Sequence, residues 1–205
     1  LKLCLADELA RLNDIAYSSN FNLLSFIDAW TMAFGFGLQI YFDFSSYSHM
    51  AIGISKILGL TVPENFMFPY NSTSVAIFWR RWHISLSSWI SDYLYSYLKL
   101  RLSPIFLGFS PLLVTWLIMG IWHGSSFRFA IWGFLNGLLI LIYRIIKKID
   151  SNKLFQNKKL GFFNWIITLF AIMSTWIYFR SNSIEQANKL FSTLFNLNNF
   201  DLSFR

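Results

Sequence analysis

Between Leu160 and Phe179 the chain runs for twenty residues without a charged side chain. As a helix this stretch would be ~30 Å long, the thickness of a bilayer's hydrocarbon core, so it is built to cross a membrane or to be wholly enclosed by protein. The remainder of the chain favours the membrane. Ile105 to Trp122 carries no charge, Phe21 to Phe42 carries only Asp28, and Phe129 to Tyr143 is a fifteen-residue apolar run between Arg128 and Arg144. Of the 205 residues only 13% are Asp, Glu, Lys or Arg, against the ~25% of an ordinary soluble domain, and 20% are aromatic. These proportions exclude a disordered chain, a disulfide scaffold and a fibre. The expected fold is all-α: a polytopic membrane protein, a helical bundle with re-entrant or interfacial amphipathic helices, forming one partial membrane domain over residues 1–205. The start at Leu1 without Met and the lack of a signal-peptide pattern read as a fragment.

The apolar runs differ in quality. Phe129 to Tyr143 is short for a span unless both flanking arginines snorkel outward. Ile105 follows Pro104, which suits a helix start. Asp43 to Leu60 reads as a separate helix, too polar at its start to face lipid throughout. Thr61 to Ser74, with Pro63 and Pro69, reads as a loop. From Val75 to Leu100 the pattern is that of an interfacial or partly re-entrant helix, with Trp79, Trp82, Leu86, Trp89 and Tyr93 on one stripe and Arg80, His83, Ser87 and Ser91 on another.

The net charge of +7 raises nucleic acid as a partner, but the basic residues flank apolar segments, as in a membrane protein with basic cytoplasmic loops, so nucleic acid is not expected. Lys147, Lys148, Lys153, Lys158 and Lys159 against Asp150 place one loop on the cytoplasmic face, and Lys99 and Arg101 join them. The turn at Gly124–Ser126 then faces away from the cytoplasm or, given Arg128 and the short second helix, sits inside the bundle. Cys4 is the single cysteine, so neither a disulfide nor a thiolate cluster is expected. The three histidines have no i, i+4 relation, no HExxH occurs, and no metal site is expected.

Ionisable groups at membrane depth are rare because each charge costs at least ~2.5 kcal/mol there. His123 closes an uncharged run in Gly120-Ile121-Trp122-His123-Gly124. Two glycines beside the ring would let another molecule approach an imidazole suited to accept a proton from a hydroxyl; a buried histidine, or a glycine pair serving helix packing, fits the same string. Arg80 and Arg81 beside His83 would hold a phosphate, a phosphopantetheine or a carboxylate, or would meet lipid headgroups. Asp43 is expected to pair with Arg80 or Arg81 as a structural polar group, and Asp28 to have the same structural role ahead of a functional one. His49, in a polar stretch near Ser45, Ser46 and Ser48, is expected to be structural rather than functional.

Four strings in register resemble the membrane-bound O-acyltransferase family, specifically the bacterial branch of alginate O-acetyltransferases and of the D-alanyl transfer protein of teichoic acid modification. They are Gln39-Ile40-Tyr41-Phe42-Asp43-Phe44-Ser45, Pro63-Glu64-Asn65-Phe66, Phe78-Trp79-Arg80-Arg81-Trp82-His83-Ile84-Ser85-Leu86-Ser87, and Trp122-His123-Gly124. The likeness covers about residues 30–190, including Phe179-Arg180 followed by Ala187. It implies transfer of an acyl group, an acetyl group for preference, from a cytoplasmic thioester donor to a hydroxyl reached from the other side of the membrane. His123 takes the catalytic position at the bottom of a funnel and His83 a supporting one. Arg80, Arg81, Trp122 and Asn136 are the implied substrate contacts. No bound cofactor is implied; the donor, acetyl-CoA or an acyl carrier protein, is a co-substrate. Implied partners are membrane lipid and an extracytoplasmic acetyltransferase or esterase-like protein, and the implied location is the cytoplasmic (inner) membrane, crossed several times. The sequence departs from the family after the DFS string, with Ser46 and His49 in place of Gly and Asp. Asn136 stands where a further histidine is common, and an amide hydrogen-bonds but is no base. Two other classes remain open: a transporter or channel component with Asp28, Asp43 and His123 lining a path, and a non-catalytic scaffold for a partner acyltransferase.

Overall fold

The structure, a computed structural model, describes residues 2–102, 109–149 and 160–197. The regular elements among the described residues are all helical. In chain order they are α1 (Asp7–Ser18), α2 (Phe26–Ile57), α3 (Val75–Arg81), α4 (Ile84–Trp89), α5 (Ser96–Arg101), α6 (Ser110–His123), α7 (Phe127–Ile149), α8 (Gly161–Arg180) and α9 (Ile184–Thr193). A π-helical turn at Lys2–Ala6 leads into α1, and another at Ile90–Tyr95 joins α4 to α5. The chain forms two compact units, Leu1–Val62 with Met173–Arg205, and Pro63–Ile172.

In the first unit, α2 begins five residues later than the apolar run from Phe21 suggests, because Ser25 caps it. The Ser25 side chain accepts from the Asp28 backbone N–H, and the Asp28 carboxylate accepts from the Ser25 N–H at 2.8 Å. Asp28 therefore completes a reciprocal cap in the positive first turn of a helix, which is why a fully buried carboxylate is tolerated there. Its role in a pathway has no support in this geometry. Past Phe42 the helix does not break: Asp43 to Ile57 continues α2, which at 32 residues is ~48 Å long. Gly37 receives Met173 and Trp176, since a Cβ there would lie 2.4 Å from the Met173 sulfur. Tyr17, Met32, Ile177 and Leu190 fill the core. Gln186 ties α9 to α1 by donating to the Tyr17 carbonyl at 2.7 Å, and Arg180 bridges to Asp14. Asp43, expected to meet Arg80 or Arg81, pairs within its own unit with Lys2 at 2.5 Å, because the π turn at Lys2–Ala6 packs along α2.

In the second unit, α6 and α7 form an antiparallel hairpin around the turn at residues 124–126. Pro111 sits in the first turn of α6, where its missing N–H costs nothing; the helix start expected at Pro104 and the run 105–108 lie outside the described residues. α7 corrects the expected short span. It is 23 residues long, and both Arg128 and Arg144 lie inside it. Arg128 stacks over Phe129 at 4.5 Å, and Arg144 donates to the Tyr95 hydroxyl at 3.1 Å. α7 and α8 are long and apolar enough to cross a bilayer; α6, with 14 residues, is not. Lys153, Lys158, Lys159 and Asp150 of the expected cytoplasmic loop lie outside the described residues.

The single amphipathic helix expected over Val75–Leu100 is broken. Ser74 caps α3 by accepting from the Ile77 N–H, and α3 stops at Arg81. Trp82 is extended, and His83 adopts a left-handed backbone with φ +45° before α4 starts. The aromatic stripe accordingly divides: Trp79 and Trp82 are buried, while Trp89 and Tyr93 are exposed.

Candidate functional site

His123 is the last residue of α6, half-buried, with its ring edge-on to Trp132 of α7 at 5.1 Å between centroids. Trp132 belongs to a tryptophan cluster: Trp79 lies 4.7 Å from Trp116 and 5.7 Å from Trp132 in edge-to-face contacts. Fully buried Asn136 fastens the cluster. Its Oδ1 accepts from the Trp79 indole at 3.2 Å, and its Nδ2 donates to the Trp132 carbonyl at 2.9 Å. Both ends of the amide hold tryptophans in place. Trp122 packs its ring at 4.9 Å from His123 but is itself 66% exposed.

The glycines around His123 serve helix packing. A Cβ on Gly120 would lie 2.3 Å from the Phe129 carbonyl oxygen, and one on Gly133 2.3 Å from the Trp116 carbonyl oxygen. The backbones of α6 and α7 thus meet at Gly120 and Gly133, as small residues allow in apolar bundles. Gly124 accommodates the Phe129 ring, 2.4 Å from where its Cβ would stand. The space expected beside the imidazole is taken by α7.

His83 and His123, forty residues apart, both belong to this second unit. His83 stands half-buried at the start of α4. Its Nδ1 lies 3.4 Å from Asn65 Oδ1. Arg80 and Arg81 part company. Arg80 is exposed and reaches a cavity of about 370 Å3, whereas Arg81 does not line it, and its carbonyl accepts from the Met67 N–H.

That cavity is lined by Trp79 and Arg80 of α3, Ser87 of α4, Thr115, Trp116 and Met119 of α6, and Ile140 and Arg144 of α7, among others. Two guanidinium groups, the four hydroxyls of Ser87, Ser91, Tyr95 and Thr115, and an apolar floor suit a ligand with an anionic head and a flexible apolar arm. Arg144 is the residue that sequence reasoning passed over. It reads as a charge bounding a span, and its partner Tyr95 is forty-nine residues away. His123 does not line the cavity; the tryptophans separate them, and Met119 brings the cavity to within one turn of it along α6.

The membrane-bound O-acyltransferase family model matches residues 5–183. The chain belongs to that family. It is 36% identical over 202 residues to a probable alginate O-acetylase of Pseudomonas aeruginosa, covering 98% of this chain and 38% of that protein. A peptidoglycan O-acetyltransferase of Helicobacter pylori is 35% identical over 201 residues, 98% of this chain and 38% of that protein. A teichoic acid D-alanyltransferase of Bacillus subtilis is 33% identical over 125 residues, 56% of this chain and 31% of that protein. The chain thus spans about two fifths of the length of the first two relatives. As a member of a membrane-bound family its place is a membrane, in keeping with α7 and α8.

Proposed function

We propose that this chain is the catalytic part of a membrane O-acyltransferase that moves an acyl group, an acetyl group for preference, from a cytoplasmic thioester to a hydroxyl of an extracytoplasmic polysaccharide or partner protein. The observation that carries the reading is a cavity bearing Arg80 and Arg144 that comes within one helical turn of His123 along α6. The donor, acetyl-CoA or an acyl carrier protein, needs no bound cofactor beside it. Its phosphate would meet Arg80 and Arg144, and its thioester arm would run along the apolar floor toward Met119. Arg81 would act on the approach rather than in the cavity, and Trp122, exposed beside His123, would meet the acceptor.

The step is direct transfer. His123 takes the proton from the acceptor O–H, the oxygen forms a bond to the thioester carbonyl carbon, the C–S bond breaks, and the departing sulfur takes the proton from the imidazolium. A thioester is already activated, so base catalysis of ~10²–10⁴-fold together with positioning suffices. The protein would cross the cytoplasmic membrane several times with the broken helix at Trp82–His83 entering it partway, and would hand the acyl group to an esterase-like or acetyltransferase partner outside. In vesicles carrying the full-length protein, His123→Ala should lower acyl incorporation by ~10²-fold or more while leaving membrane insertion unchanged. Product at the wild-type rate in that variant overturns the proposal.

A further inference from the structure

The string Pro63-Glu64-Asn65-Phe66 is used by no step above, yet it lies against the break between α3 and α4. The backbone there needs holding. A left-handed conformation at a residue with a Cβ is unfavourable and persists where its surroundings fix it, and His83 has φ +45°. Two backbone hydrogen bonds supply the fixing: Ile84 N–H donates to the Asn65 carbonyl and Met67 N–H to the Arg81 carbonyl, both at 3.0 Å. Aromatic contacts secure the same strap, with Phe66 edge-on to Trp82 at 5.1 Å and Tyr70 5.7 Å from Phe78.

The Asn65 side chain then acts on the imidazole. Its Oδ1 accepts from the Ser85 N–H at 3.1 Å and from the Ser85 hydroxyl at 2.7 Å. A backbone N–H is always a donor, so the atom facing it must be the amide oxygen and not the nitrogen. That oxygen lies 3.4 Å from His83 Nδ1 and cannot donate. The contact is attractive when Nδ1 carries the proton, which leaves Nε2 as the lone-pair nitrogen of the neutral ring. We propose that Asn65 is a positioning residue, which orients the supporting His83 and selects its Nδ1–H tautomer, leaving Nε2 as the lone-pair nitrogen of the ring. The ionisable groups around His83 are His123 from α6, Glu64 from the strap, and Arg80 and Arg81 from α3.

The importance of this atom for acyl transfer rests on the function proposed above, but the orientation itself is read independently of activity. In the full-length protein with ¹⁵N-labelled histidine, the His83 signal, assigned by its loss in His83→Gln, should at high pH show a protonated Nδ1 and a bare Nε2. The opposite tautomer overturns the proposal. Asn65→Asp keeps the acceptor and adds a negative charge within hydrogen-bond range. Carbethoxylation of His83 followed against pH by mass spectrometry should then titrate about one unit or more higher than in the wild type. An unchanged midpoint also overturns it. In the acyl-transfer assay Asn65→Asp should retain transfer with its acidic limb displaced upward, and Asn65→Ala should lose kcat about tenfold or more with little change in donor KM. Equal loss in both variants with no displacement of the limb assigns Asn65 to folding alone and rejects the positioning role. If the wild type transfers no acyl group while the tautomer and titration results hold, the function proposal fails and the Asn65–His83 coupling stands.

Discussion

Asn136 and Arg144 sit two turns apart on α7, and each does something that residue type does not announce. Asn136 occupies a position where an amide accepts one hydrogen bond and donates another, and both go to the tryptophan cluster. Asn136→Ala takes away the acceptor of a buried indole, and the variant should lose about 1–3 kcal/mol of stability, seen as a lower melting temperature of the detergent-solubilised protein. Arg144, beside Tyr95, faces the same cavity as Arg80. If both bind the donor's phosphate, Arg80→Ala and Arg144→Ala should each raise the donor KM about tenfold, the worth of one charge-assisted contact at ~1.4 kcal/mol. Arg81→Ala should change it less. His123, His83 and the two arginines were legible because catalytic chemistry restricts which residue types can serve, and the motif strings print them. Arg144 and Asn65 were not legible in role, since their partners are distant in sequence.

At the scale of elements, glycine spacing and helix caps decide the geometry. Gly120 and Gly133 bring α6 and α7 together until each backbone carbonyl stands where the other's Cβ would be. Gly120→Ala must push Phe129 away and should destabilise the hairpin by about 1–3 kcal/mol, displacing His123 and lowering acyl transfer, as thermal unfolding and assay would show together. The exposed Gly53, with nothing near its Cβ position, provides the matched control, since its replacement by Ala meets no atom. Hydrophobic spacing anticipated helices in the right places and missed their ends. Ser25 and Asp28 start α2 later than Phe21, and nothing stops it at Phe42. Periodicity also joined α3 to α4 across Trp82 and His83, because a break of two residues, one extended and one left-handed, leaves the side-chain pattern nearly intact.

For the whole molecule, orientation in the membrane follows from where the basic residues collect. Lys147 and Lys148 end α7, Lys99 and Arg101 end α5, and the turn at residues 124–126 lies at the other end of the hairpin. In full-length protein carrying Cys4→Ser, a Ser125→Cys variant should react with an impermeant maleimide added outside intact cells, and Lys148→Cys only after permeabilisation; the reverse pattern inverts the topology. The sequence by itself determined that this chain is helical and made for a membrane, and which side chains are chemically able to accept or donate a proton, because transfer free energies and acid–base character belong to residues wherever they are folded. Only the tertiary structure decided that glycines flanking His123 admit a helix instead of a ligand, that Asp43 takes Lys2, and that Arg144 joins Arg80. Those outcomes depend on which backbone occupies a given space, and distance through space is not written in spacing along the chain.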